Sequence, residues 1–193
     1  MKIYFVASIA AAEKTGIDYS LITNVLRGLG HKVQDDHIIN ISLDYIESGN
    51  ENTYKEHYKK IVKWMKDADI VVAEVSFPSS INIGHEITLA REFEKPVLAL
   101  YTKDKSPMML EGNVDEKFML EEYNPKDLNS LKILLEDKLE KLISLSDIRF
   151  NFFISPKMSR FLEWISKDRM IPKAVFLRRL IEQEIDKAKD FPG

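Results

Sequence analysis

The stretch from Asp69 to Glu86 limits the possible folds of this chain more than any other. It begins with a near-continuous apolar run, Ile70 to Val75, rich in β-branched residues and broken only by Glu74. Such a run suits a strand buried on both faces of a parallel sheet. A loop of Ser, Pro and Asn follows, and Gly84 is expected to introduce a helix carrying Glu86 in its first turn. In open α/β sheets, ligands collect where the carboxyl end of a strand meets a helix N-terminus. Ser76, Ser79, Ser80, helix amides and the Glu86 carboxylate are expected to converge there, an arrangement suited to a phosphorylated ligand.

The flanking segments repeat this alternation. Strands are expected over Lys2–Ile9, His31–Ile38, Lys95–Tyr101 and Lys117–Tyr123. Between them, a small-residue loop (Ala10 to Ala12) leads to a helix capped by Asp18 and stopped at Gly30. A long connection runs from Asn40 to Glu51. The next helix sets Tyr54, Tyr58, Ile61 and Met65 on one stripe and lysines largely on the other. A Lys-, Met- and Pro-rich loop over Thr102–Glu116, with Lys103 and Lys105, is placed over the site as a lid. Asn124 and Pro125 open an amphipathic helix to about Leu145. This pattern gives a three-layer, flavodoxin-like or Rossmann-like α/β domain over 1–146, with a mostly parallel sheet in strand order 2-1-3-4-5. Strands one and three then flank the switch point, with Ser8 and Ser76 at their ends.

Residues 147–193 read differently. Asp147 to Ile154 has partial period-two alternation, Ser155-Pro156 is a helix N-cap and N1 pair, and a second helix starts at Pro172. One strand and two short helices cannot bury their own apolar faces, so a partner surface is implied. The spacing resembles a ribbon-helix-helix unit, including Pro-Lys-Ala-Val-Phe-Leu-Arg-Arg-Leu-Ile (172–181). That resemblance implies a homodimer or higher homo-oligomer, and DNA as a possible partner through Arg149, Asn151 and Lys173. The segment carries 10 basic and 7 acidic residues, although the whole chain has a net charge of −3.

Composition narrows the classes further. The 193 residues include no cysteine, which excludes disulfide and thiol chemistry and fits a cytoplasmic protein. No stretch approaches the ~20 apolar residues of a membrane span. His31, His37, His57 and His85 lack ligand spacing, so no metal or other cofactor is expected. Glu74 is expected to be buried with an interior hydrogen-bond partner, and Asp69 to be structural. Tyr4 on the first strand is expected either to stack on a ligand base or to pack in the core.

Four segments of residues 1–146 then gain a family context. They are Ile-Tyr-Phe-Val-Ala-Ser-Ile (3–9), Ala-Asp-Ile-Val-Val-Ala-Glu-Val-Ser (68–76), Pro-Ser-Ser-Ile-Asn-Ile-Gly-His-Glu (78–86) and Lys-Pro-Val-Leu-Ala-Leu-Tyr (95–101). In this order they resemble the nucleoside 2-deoxyribosyltransferase superfamily, most of all its 2'-deoxynucleoside 5'-phosphate N-hydrolase branch. The resemblance implies a nucleotide or nucleoside ligand and hydrolysis or transfer at the N-glycosidic bond. It also implies a carboxylate nucleophile at Glu86, beside Gly84. Ser8 with Ile9, Ala10 and Ala11, Ser80, and Ser106 from a neighbouring subunit are the positions implied for the phosphate.

Three positions depart from that pattern. The family's glycine-rich first loop is alanine-rich here, and His85 replaces a tyrosine. Ile61 occupies the place of an aspartate two turns before the Ala68-Asp69 pair. A proton donor is then expected from Tyr58 or its neighbours Tyr54 and His57, or from Asp36 or His37; Tyr58 and His37 are the candidates carried forward. The competing reading is a nucleotide sensor without catalysis, tied to a DNA-binding tail.

Overall fold

The computed structural model describes residues 1–39, 49–113, 115–145 and 152–188, with residues 13–15 described by backbone alone. The chain divides into two compact units, Met1–Asp147 and Ile148–Gly193.

The first unit is built on five parallel strands: β1 (Lys2–Val6), β2 (Lys32–Gln34), β3 (Ile70–Glu74), β4 (Val97–Thr102) and β5 (Phe118–Tyr123). Their order is β2-β1-β3-β4-β5, the order expected from the sequence. All five residues of β3 are buried, as a central parallel strand requires. Helices α1 (Ile9–Thr15), α2 (Ser20–Gly28), α3 (Asp36–Ile39), α4 (Glu51–Asp67), α5 (Ile81–Glu92), α6 (Met108–Glu111) and α7 (Leu128–Ser144) complete the unit.

Strand alternation divides the core into two layers. Ile3 and Phe5 of β1 pack with Ile22 and Leu26 of α2 and Leu131, Leu135 and Leu139 of α7. Tyr4 and Val6 point the other way, into a layer with Ile61 and Met65 of α4 and Ile83 and Ile87 of α5. The alternation therefore turns Tyr4 toward α5.

Several boundaries differ from the sequence reading, each for a local reason. The alanine-rich segment is not a loop but helix α1: alanine is the strongest helix former, and Ser8 caps it by accepting the Ala11 amide at 3.1 Å. Gly16, at φ 68°, closes it in the left-handed conformation that glycine takes most easily. β2 ends at Gln34, because the Asp35 carbonyl accepts the Ile38 and Ile39 amides and winds that segment into α3. Asp36 and His37 thus sit on a helical turn. Helix α5 begins at Ile81 after the extended Ser80, so Gly84 lies inside the helix. Glu86 is its sixth residue and not part of its first turn. The Thr102–Glu116 stretch contains the short α6. Asn124 forms a turn, and Asp127 caps α7 by accepting the Ser130 amide at 2.9 Å. Asn50 caps α4 through the Thr53 amide at 3.0 Å; most of the connection before it (40–48) lies outside the described residues.

In the second unit, α8 (Pro156–Asp168) and α9 (Lys173–Lys187) form a helical pair. Ser155 accepts the Met158 amide at 3.3 Å, the cap expected of a Ser-Pro start. Leu162, Ile165 and Phe176 form a small core. The expected strand over Asp147–Ile154 does not extend into the described residues. Phe152, Phe153 and Ile154 have no strand structure, and Asp147 to Asn151, with Arg149, lie outside the described residues.

Candidate active site

Three helices of the first unit enclose a cavity of about 670 Å³. Helix α3 contributes Asp36 and His37; α4 contributes Tyr54, His57, Tyr58, Ile61 and Trp64, among others; α5 contributes Asn82, His85 and Glu86. The α4 contribution follows from helical spacing, since positions 54, 57, 58, 61 and 64 share one face.

Glu86 lies in this wall at 8% exposure. The Tyr4 hydroxyl, fully buried, donates a 2.6 Å hydrogen bond to Glu86 Oε2. Burial pushes the Glu86 pKa up to about 7, and the Tyr4 hydrogen bond opposes that rise. Helix amides and the Glu86 carboxylate were expected to converge at the start of the helix. The amides do not serve the carboxylate, because Glu86 lies beyond the first turn, where α5 amides bond within the helix. Burial next to the carboxylate also raises the Tyr4 pKa and keeps its phenol protonated as a donor. Of the two alternatives for Tyr4, core packing is the one observed, and from the core its hydroxyl orients Glu86.

His37 is 4% exposed. Its ring stacks on Tyr4 at 4.9 Å and an 11° interplanar angle, with Trp64 at 5.4 Å and His57 at 6.3 Å. Neither ring nitrogen has a hydrogen-bond partner among the described residues. Burial, with His57 adding to it, lowers its pKa to about 4, so the imidazole is neutral at neutral pH. At the mouth, Tyr58 stacks on His85 with centroids 5.9 Å apart and a 25° interplanar angle. Ile61, 8% exposed, supplies apolar surface to the same wall.

The other expected site residues are placed elsewhere. The Ser8 hydroxyl is the α1 cap, and its carbonyl accepts the Ala11 and Ala12 amides and the Tyr19 hydroxyl. Ile9, Ala10 and Ala11 are the first turn of α1, and none of the four lines the cavity. Ser80 heads α5 without a side-chain cap bond, and Gly84 is exposed on the same helix. The Ser106 hydroxyl donates to the Glu111 carboxylate. Ser76 turns inward, donating to Glu74 and contacting Thr102 Oγ1 at 3.2 Å. Glu74 is thus held by Ser76 and by the Tyr123 hydroxyl at 3.4 Å, the interior role expected of it. The Asp69 carboxylate accepts the Lys2 amide at 2.7 Å, also structural.

Sequence reasoning passed over Trp64 and Asn82. Both were visible as spacing: Trp64 is three residues after Ile61, and Asn82 is four before Glu86, each on the face of its neighbour. Among the described residues, no three His, Asp or Glu side chains gather as a metal site.

The fold and site so described are a parallel five-stranded α/β sheet with a buried carboxyl on the wall of a cavity, and similarity to known proteins narrows the class. No family model matches the chain. A Nematostella vectensis protein named 2'-deoxynucleoside 5'-phosphate N-hydrolase 1 is 31% identical over 136 residues, covering 67% of this chain and 90% of its own. The mouse 5-hydroxymethyl-dUMP N-hydrolase is 28% identical over 135 residues, covering 67% and 76%. A solved structure, the Clostridium botulinum CMP N-glycosidase, aligns over 70% of this chain and 98% of its own at 17% identity and a TM-score of 0.48. The chain belongs to the 2'-deoxynucleoside 5'-phosphate N-hydrolase family, a family of enzymes.

Proposed function

We propose that this chain cleaves the N-glycosidic bond of a 2'-deoxynucleoside 5'-monophosphate, or of a related nucleotide or nucleoside, with Glu86 as nucleophile. The observation that carries the reading is a buried carboxylate, oriented by Tyr4 at 2.6 Å, on the wall of a cavity sized for a nucleotide. Its volume falls within the range of about 300–1,000 Å³ typical of small-molecule sites.

In the first step, a Glu86 oxygen attacks the anomeric carbon while the bond to the base breaks. The bonding pair leaves with the base, which takes up a proton from solvent. In the second step, water attacks the same carbon, regenerates the carboxylate and releases the sugar phosphate and a proton. Tyr4 donates to the carboxylate and fixes the direction of its other oxygen. Of the two expected donors we favour His37 for the leaving base, because it lines the cavity and its two ring nitrogens lack partners among the described residues. Being neutral, it offers a hydrogen bond and not a charged acid. For the phosphate, Ser80 is the strongest of the expected serines, since it heads α5 with its side chain uncommitted to a cap.

We also propose that the second unit joins two copies of the chain. Trp164, Met170 and Ile181 are 58%, 88% and 60% exposed, more apolar surface than a helical pair keeps in water. Lys173, expected to meet a DNA phosphate, instead pairs with Glu163 at 3.3 Å, so self-association is the reading carried forward. Light scattering should give a dimer mass, and a monomer would refute it. A cytoplasmic location accords with a nucleotide substrate.

The test of the enzymatic reading is base release from a panel of nucleoside monophosphates and nucleosides, measured beside Glu86→Gln. Release is expected from at least one nucleotide and should vanish in the variant. Equal release by both proteins would refute Glu86 as nucleophile.

A further inference from the structure

A second, smaller hollow of about 240 Å³ lies at the amino edge of the sheet, between β1, β2 and the last turn of α4. Lys2 of β1, Lys32 and Gln34 of β2, and Asp67 of α4 line it. Its floor follows from strand register. Lys2 pairs with Lys32 and Tyr4 with Gln34 in parallel strands, so all four side chains leave one face of the sheet. Along that face the exposed Lys2 gives way to the fully buried Tyr4 two residues on, a step of about 7 Å.

Among the described residues, Trp64 alone lines both this hollow and the active-site cavity. It is half-buried and packs against the core layer that holds Tyr4, Ile61 and Met65. Successive contacts run from Glu86 to Tyr4 at 2.6 Å, from Tyr4 to His37 at 4.9 Å and from His37 to Trp64 at 5.4 Å. Trp64 is thus the outermost member of the chain of contacts that ends on the candidate nucleophile, and the charged hollow borders it. An indole presents a large, flat, apolar surface, and shortening it would join the two hollows.

Burial sets the two titrating groups of the site. It pushes Glu86 up to about 7 and His37 down to about 4, because it disfavours the charged form of each. The other titratable or charged groups around them are Tyr4 on β1, Asp36 on α3, His57 and Lys60 on α4, and His85 on α5. A charge gained or lost among these would move Glu86 and His37 in the same direction. Loss of burial moves them in opposite directions, which is a signature of its own.

We infer that Trp64 is a positioning residue for the reaction: its indole partitions the active-site cavity from the charged hollow and keeps His37, Tyr4 and Glu86 packed and shielded. It acts through His37 and Tyr4. The inference takes the reaction from the proposed function, but the partition can be read without turnover.

The experiment follows both titrations by NMR in the full chain, with labelled histidine rings and glutamate carboxyl groups, in wild type and Trp64→Ala. Glu86→Gln and His37→Gln assign the signals. In Trp64→Ala, Glu86 should titrate about one pH unit below its wild-type value and His37 about one pH unit above, toward the ordinary 6.5. The acid limb of kcat/KM should follow Glu86 to lower pH. Trp64→Phe, which keeps an aromatic partition, should stay close to wild type. If Trp64→Ala fails to fold, Trp64→Leu carries the same test with a smaller opening. Shifts of both groups in one direction would overturn the partition, as would a variant that loses stability while both titrations stay in place. Opposed shifts in a protein that releases no base would sustain the partition and refute only the reaction.

Discussion

Two buried glutamates, Glu74 and Glu86, leave the same strand–loop–helix unit and meet opposite environments. Glu74, at the end of β3, is 2% exposed and enclosed by Ser76, Tyr123 and Tyr19. Burial pushes its pKa up, and the surrounding hydroxyls pull it back. Glu86 is nearly as buried, but among the described residues it has one hydroxyl partner and an open cavity in front of it. A carboxylate encircled by donors is part of the scaffold. One held on a single side, with its remaining lone pairs facing a cavity, is available to a ligand.

Substitutions at the two positions should therefore separate activity from stability. The largest effect expected is on turnover, where Glu86→Gln lowers the rate of base release by at least about 10³-fold with the fold intact. Turnover that survives at either glutamate's expense alike would erase the distinction between them. Next is the pH profile: with Glu86 titrating near 7, kcat/KM should rise with pH through about 7 as the nucleophile ionises. Tyr4→Phe removes the hydrogen bond that favours the carboxylate, so that limb should move to higher pH. A shift to lower pH would contradict the role given to Tyr4.

Stability sharpens the same contrast. Glu74→Ala leaves buried hydroxyls without their acceptor and should cost about 2–3 kcal/mol in chemical denaturation, with little change in KM for the molecules that fold. Glu86→Gln should act in the opposite sense. The folded pKa of Glu86 is raised above its ordinary 4.5, so its favourable contribution is complete below about 4.5 and is lost as pH rises through about 7. Relative to wild type, Glu86→Gln should thus gain up to about 3 kcal/mol between pH 4 and pH 8. A flat difference across that range would show that Glu86 is not desolvated. The smallest effect belongs to the surface pair Lys173–Glu163, whose removal should change stability by less than about 1 kcal/mol.

Much of the fold was legible because the signals were local and repetitive. Apolar runs such as Ile70 to Val75 and Val97 to Tyr101 mark buried parallel strands, and their alternation with amphipathic helices leads to one sheet order. Glu86 was legible from its place after such a strand and from the resemblance carried by neighbouring segments. Boundaries were less legible where two local preferences compete. Ser8 followed by three alanines formed a capped helix instead of an open loop, and the Asp35 carbonyl turned an expected edge strand into α3. Gly84 suggested a helix start, yet a glycine is tolerated within a helix that the surrounding apolar residues hold in place.

By itself, the sequence determined the order of strands and helices, the two-layer core and the candidacy of one glutamate, because those properties follow from hydrophobic period and chain connectivity. The meeting of residues far apart in the chain was decided only in three dimensions. Tyr4 reaches Glu86 across 82 positions, His37 packs its ring among Tyr4, Trp64 and His57, and Tyr58 stacks on His85. Desolvation and aromatic contact depend on what the opposite element presents, and no local pattern in a single sequence carries that information. The same physics raises the Glu86 pKa and lowers that of His37: burial disfavours whichever form of a group bears charge.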